Sequence, residues 1–234
     1  MKIANKAMIL AATLLSTTAL ADRNALYEVT VTNLTPGQTF TPILVALHDP
    51  RQSLFTPGDP ASEALGILAE EGDTAPLTEA LENAGVPALQ ITTIFGPDPS
   101  TPPPLTGPGQ SASIEVSGPR RRGRLSIAAM LIPTNDTFVS LNSVELPRFG
   151  QRTYVALAYD AGTEANDQNC ANIPGPRCGG EGVSAPADSD EGFVHVSNGF
   201  HELGSADDLG NEILGPMTYD WHNPVAEVTV RRIR

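Results

Sequence analysis

The chain has 234 residues, 40% of them apolar, with 21 glycines, 21 prolines and a formal net charge of −13. That charge excludes nucleic acid as a partner, because phosphate contacts need basic surface, and it opposes unaided binding to anionic membrane. The glycine and proline content suits short strands joined by turns rather than long helices, and the apolar fraction is enough for a core.

The first residues carry Lys2 and Lys6, then an apolar stretch over 7–14, and close on Ala19, Leu20 and Ala21. Basic, then apolar, then small-x-small is the order of a secretory signal. The stretch is shorter than the roughly 20 apolar residues that a spanning helix requires. Residues 1–21 are therefore expected to be a signal peptide and 22–234 one mature domain, periplasmic or secreted, with no membrane span after cleavage. An exported chain can oxidise its thiols. Cys170 and Cys178, in CANIPGPRC, are expected to pair, and closing so short a loop stabilises by roughly 2–3 kcal/mol.

Residues 25–35, ALYEVTVTNLT, alternate Tyr27, Val29 and Val31 with Glu28, Thr30 and Thr32, the pattern of a half-buried strand. Residues 40–50, after a Pro-Gly turn, read as a second strand, paired with the first or beside it. Two short helices should follow as an excursion from the β framework. The first spans 61–71 with Asp59 or Ser62 as its cap, and the second spans 79–84 with Thr78 as cap and Gly85 as stop. Residues 87–110 hold a short strand and a proline-rich segment that cannot donate ladder hydrogen bonds.

SIEV, with Ile114 and Val116 on one face and Glu115 on the other, predicts a strand. RLSIAAMLI is almost continuously apolar, as a central strand is. It turns through Pro133, Thr134, Asn135 and Asp136 into TFVSLNSVELP, and QRTYVALAYD follows. Residues 191–204 and 223–233 supply late strands, the last one outer or closing. About eight short strands with regular turn signals predict an all-β, antiparallel β-sandwich with a short two-helix excursion.

Three acids fall where such a sandwich can gather them. Glu115 lies on one strand, Asp136 on a hairpin tip, and Asp160 at a later strand end. Alternating strand directions put Asp136 and Asp160 on one rim. Carboxylates on neighbouring strand ends suit Ca²⁺, which takes six to eight oxygens, and crowded anions without a cation raise one another's pKa. Acids at strand ends are also commonly just solvated, and the spacing alone leaves both readings open.

MLIPTNDTFVSLNSVELP followed by YVALAYDAGTE resembles the signature of the spondin N-terminal domain family, which occurs in animal matrix proteins and in a bacterial exported branch. Pro133, Asp136, Phe138 and Val139 match the first motif, and Tyr159, Asp160, Ala161, Gly162 and Thr163 the second. The resemblance implies a β-sandwich with a Ca²⁺ site near one end, and its ligands carry over to Glu115, Asp136 and Asp160. Departures are Thr137 in place of a tryptophan, Leu146-Pro147 in place of a cysteine, and Glu164 in place of a second acid of different length. The animal adhesion roles are therefore not carried over with the motif.

Arg120, Arg121, Arg122 and Arg124 form a basic turn, able to hold a sulfated or phosphorylated glycan but more simply a solvated turn. His48, His195, His201 and His222 show no metal or catalytic spacing, and no nucleophile elbow is present. The reading is a non-enzymatic, calcium-binding module for interaction or adhesion, whose partner is an unidentified envelope or extracellular protein or glycan. Its rivals are an envelope hydrolase using His195 or His201, and an ion-free structural protein.

Overall fold

A computed structural model describes residues 24–84, 90–97, 99–101, 103–119, 123–183, 187–202 and 204–234. The expected signal peptide, the stop at Gly85 and the turn residues Arg120, Arg121 and Arg122 lie outside these. The strands are β1 (Asn24–Asn33), β2 (Thr39–Phe40), β3 (Ile43–His48), β4 (Gln90–Ile94), β5 (Ser111–Pro119) and β6 (Arg124–Ile132). They continue with β7 (Thr137–Glu145), β8 (Gln151–Asp160), β9 (His195–Val196), β10 (Ser205–Ala206), β11 (Glu212–Ile213) and β12 (Ala226–Arg232). The helices are α1 (Glu63–Glu71), α2 (Ala75–Asn83) and α3 (Pro216–Tyr219).

The main sheet runs β4-β3-β6-β7-β8-β12-β1-β5, with β2 joined to β6 and β9 to β8. Its pairs are antiparallel. The two ends of this path come side by side, where Gln90 Oε1 accepts from the Ser117 amide at 2.6 Å. The sheet therefore wraps round into a nearly closed barrel. The fold is all-β, as the turn spacing predicts.

The apolar run of β6 has a physical reason. Leu125, Ile127, Ala129 and Leu131 face the interior with Tyr27, Val29, Val31 and Val45. Ala128, on the opposite face, packs with Leu44, Ala46 and Phe138 beneath α1 and α2. A strand covered on both faces needs apolar residues at every position. The helices contribute Leu65, Leu68, Leu77 and Leu81 to that outer layer, each worth roughly 1.5–3 kcal/mol of burial.

Ser62, not Asp59, caps α1, its side chain accepting from the Leu65 amide at 3.2 Å. The second helix starts earlier than expected, at Ala75 rather than 79. Pro76 fits a first helical turn, where no amide partner is needed, and Asp73 Oδ1 takes the Ala75 amide at 2.8 Å. Thr78 sits inside the helix and donates its hydroxyl to Thr74 O at 2.8 Å.

The expected pairing of the first two strands is also overturned. Both edges of β1 are occupied, by β12 and β5, while β3 lies between β4 and β6. The turn after β1 is set by Asn33, whose Nδ2 donates to Gln38 O at 2.8 Å and Thr106 O at 3.1 Å. That clamp redirects the chain toward β6 instead of back along β1. The late strand expected over 191–204 shrinks to β9, because Gly192 and Gly199 adopt positive φ of 77° and 78° on either side. The last strand, β12, is a closing strand between β8 and β1. Cys170 and Cys178 are disulfide-bonded. Among the described residues, no helix is long and apolar enough to cross a membrane.

Candidate metal centre

The β6–β7 hairpin turns through Pro133 to Asp136, and β7 then pairs with β8 so that Thr137 lies opposite Asp160. The two acids thus share one rim, as strand direction predicts. The alternation sends Phe138 and Tyr159 to the outer layer, where they form an aromatic cluster with Phe55 at 4.8–5.9 Å between ring centres. Asp160, of the other parity, turns inward.

Both acids are buried, with Asp136 0% and Asp160 1% exposed. Asp136 Oδ2 accepts from the amides of Thr163 at 2.7 Å and Glu164 at 3.1 Å, and from the Thr163 hydroxyl at 3.3 Å. Its other oxygen, Oδ1, is buried without a hydrogen-bond partner. Asp160 accepts from the Gly162 amide at 2.9 Å and from Asn166 Nδ2 at 2.8 Å. Burial first, and the Asp160 carboxylate next, push the Asp136 carboxyl well above the usual carboxylate range. Burial likewise raises Asp160, against the lowering effect of the Asn166 amide.

A second loop closes on this rim. Gly162 has φ +68°, and a Cβ there would lie 2.5 Å from Phe193 O, so only glycine lets the two backbones approach. The Gly192 amide donates to Gly162 O at 2.8 Å. This contact carries Glu191 and His195 to Asp160, and one ligand atom from each of the three lies within 4.8 Å of the others. Asn166 Nδ2 also donates to Glu191 Oε1 at 3.0 Å. An orphaned buried carboxylate oxygen beside further hard donors fits a divalent cation, which would neutralise the crowded acids.

The structure does not bring Glu115 to this rim. It is exposed on the outer face of β5 and lies opposite Glu28, which pairs with Arg231, which pairs with Gln151. Gln151 opens β8 and Asp160 closes it, so Glu115 sits at the level of the opposite end, roughly 30 Å away along the strands. Alternation fixes the face on which a residue lies but not its height in the sheet.

Of the four histidines, His195 alone meets a buried acid among the described residues. Its Nε2 lies 3.4 Å from Asp160 Oδ1, while its Nδ1 bonds Val196 O at 3.1 Å. A hydrolytic relay places the acid on one ring nitrogen and the nucleophile on the other; here the second nitrogen faces a carbonyl. His201 and His222 are exposed, and His48 is buried between Ser126 Oγ and Asp49 O. Sequence reasoning missed Glu191 and Asn166 altogether. The one signal for the former is parity, since Glu191, Phe193 and His195 alternate with Gly192 and Val194.

An all-β domain with two acids buried at one rim, in motifs spaced as here, defines a class. The chain belongs to the Spondin_N family, whose profile matches residues 30–172. It is similar to Spondin-2 of Homo sapiens, 30% identical over 148 residues, which is 59% of this chain and 43% of that protein. Spondin-2 of Rattus norvegicus is 29% identical over 148 residues, with the same shares. The chain therefore spans less than half the length of these relatives, at 43%. Asp136, Asp160 and Asn166 lie inside the family match, and Glu191 and His195 lie beyond its end.

Proposed function

We propose that this chain is an exported, non-enzymatic interaction module whose rim loops are fixed by a bound divalent cation, Ca²⁺ in the first instance. The observation that carries the reading is the buried Asp136, with one oxygen bonded three times and the other not at all. A buried anion left half-satisfied beside a second carboxylate is unfavourable by itself, and an ion between Asp136 and Asp160 reverses that. The ion would tie the β6–β7 turn to the loop after β8, where Glu191 and His195 stand within reach of Asp160. The disulfide, family membership and the secretory pattern of residues 1–21 support an extracellular or periplasmic setting.

Loops at the end of a sandwich are natural contact surfaces. Phe193 and Val196 flank His195 there and are 43% and 49% exposed, which offers apolar area to a protein or glycan partner. Thermal unfolding of the chain with excess Ca²⁺, with chelator and with Mg²⁺ tests the reading. A hundredfold excess over Kd adds about 2.7 kcal/mol. The gain should vanish in the Asp136→Asn/Asp160→Asn double variant. An equal gain in the double variant, or none in the parent, sinks the assignment.

A further inference from the structure

The loop that closes on the rim adds a donor type that Ca²⁺ does not favour. His195 is nitrogen, and its two ring atoms are not equivalent here. Val196 O is a carbonyl and only accepts, so Nδ1 must carry the proton that reaches it at 3.1 Å. In the neutral ring, Nε2 then presents a lone pair. That atom is buried without a hydrogen-bond partner, 3.4 Å from an Asp160 oxygen. Two electron-rich atoms facing each other at this distance are satisfied by a positive charge between them, a proton on Nε2 or a metal ion. About 3.4 Å is also the separation of two ligands on one tetrahedral ion with bonds near 2.1 Å. The Nδ1–carbonyl bond is the arrangement that orients metal-bound imidazoles in general.

The carboxylates are oriented as well. Asn166 Nδ2 donates to Asp160 Oδ2 at 2.8 Å and to Glu191 Oε1 at 3.0 Å, holding both acids to one side. Asp136, wholly buried with a free Oδ1, feels the charges of both acids but is not one of the three mutually close donors.

We propose that Asp160, Glu191 and His195 form a mixed nitrogen–oxygen site that takes Zn²⁺ in preference to Ca²⁺. This rests on the reading that the rim holds a cation, and goes beyond it in naming the donors and the ion. Imidazole with carboxylate suits Zn²⁺, whereas Ca²⁺ takes oxygen alone. Two of the three ligands lie past residue 172, outside the family match, so the preference rests on the closing loop. A Zn²⁺ ion there would bridge β8 to the 191–195 loop and hold Phe193 and Val196 in place.

The test is titration of the chelator-stripped chain with Zn²⁺, Mn²⁺ and Ca²⁺ by calorimetry, with melting temperature as a second readout. The parent should bind one Zn²⁺ more tightly than Ca²⁺. His195→Gln should lose that preference while keeping the Ca²⁺ response, and Asn166→Ala should weaken Zn²⁺ by about 10–100-fold. Glu191→Gln, an exposed position that does not threaten folding, should weaken Zn²⁺ too. Co²⁺ bound to the parent should shift the ring protons of one histidine. Unchanged Zn²⁺ binding in both His195→Gln and Glu191→Gln overturns this site and leaves the rim cation standing. A parent that responds to Ca²⁺ but not to Zn²⁺ does the same. A parent that binds none of the three ions overturns both.

Discussion

Two buried polar groups of the molecule, Asn33 and Asp136, are treated in opposite ways. At the end of β1, Asn33 is 0% exposed and uses its side chain fully. Its Nδ2 donates to Gln38 O and Thr106 O, and its Oδ1 accepts from the amide and hydroxyl of Thr35 at 2.9 and 2.7 Å. At the β6–β7 tip, Asp136 is equally buried but is an acid, crowded by Asp160, and bonded through one oxygen only. A neutral group with every bond made is a clamp. An acid with a bond missing is a group that a proton or a cation can still satisfy. The difference teaches that satisfaction, rather than burial, separates structural polar residues from functional ones.

Substitution at each of the two residues should break the comparison in opposite directions. Asn33→Ala removes the clamp, with its bonds to Gln38 O and Thr106 O, and leaves the Thr35 amide without its acceptor, and should lower unfolding free energy by about 3 kcal/mol in chelator and in Ca²⁺ alike. Denaturant midpoints in the two buffers check this; a cation-dependent loss would mean the two groups are coupled. Asp136→Asn should instead raise stability in chelator, by about 1–2 kcal/mol, because a buried charge is removed while an oxygen remains for the Thr163 and Glu164 amides. The same variant should lose the stabilisation by Ca²⁺, about 2.7 kcal/mol at a hundredfold excess over Kd.

The pH dependence sharpens this. Asp136 and Asp160 have folded pKa values raised above the ordinary 3.8, so between 3.8 and those values the folded state holds protons that the unfolded state has released. In chelator, these two groups therefore make stability fall as pH rises through that window. His48 acts with the opposite sign, since burial lowers its pKa from 6.5 and its contribution is lost as pH falls below that value. Melting temperatures across pH 4–7 should show the falling limb in the parent and much less of it in Asp136→Asn. A limb of equal depth in both would contradict the assignment. The smallest effect belongs to Glu115. At the opposite level of the sheet, Glu115→Gln should leave the Ca²⁺ response unchanged, and a weakened response would restore it to the site.

Much of the fold was legible because it follows from local chemistry. The period-2 alternation in β1, the unbroken apolar run of β6 and the Ser62 cap each announce their environment. So was half of the rim, since a hairpin tip and the end of the next strand must meet when the strands alternate direction. Thr78 misled because a threonine hydroxyl inside a helix can bond backward to the preceding turn as well as cap the next. Glu115 misled because facing and height are separate questions, and only the register Glu115, Glu28, Arg231, Gln151 answers the second. Glu191 and His195 join through one backbone approach at Gly162, across about thirty residues of loop that carry no period.

By itself, then, the sequence determined an acidic, disulfide-bonded all-β chain with Asp136 and Asp160 on one rim, because periodicity, turn residues and cysteine pairing act over short distances. Only the tertiary structure decided that β12 closes the sheet beside β1, that Glu115 stands apart, and that Asn166, Glu191 and His195 surround Asp160. Those outcomes depend on strand register and on close backbone packing between distant segments, which no local pattern encodes.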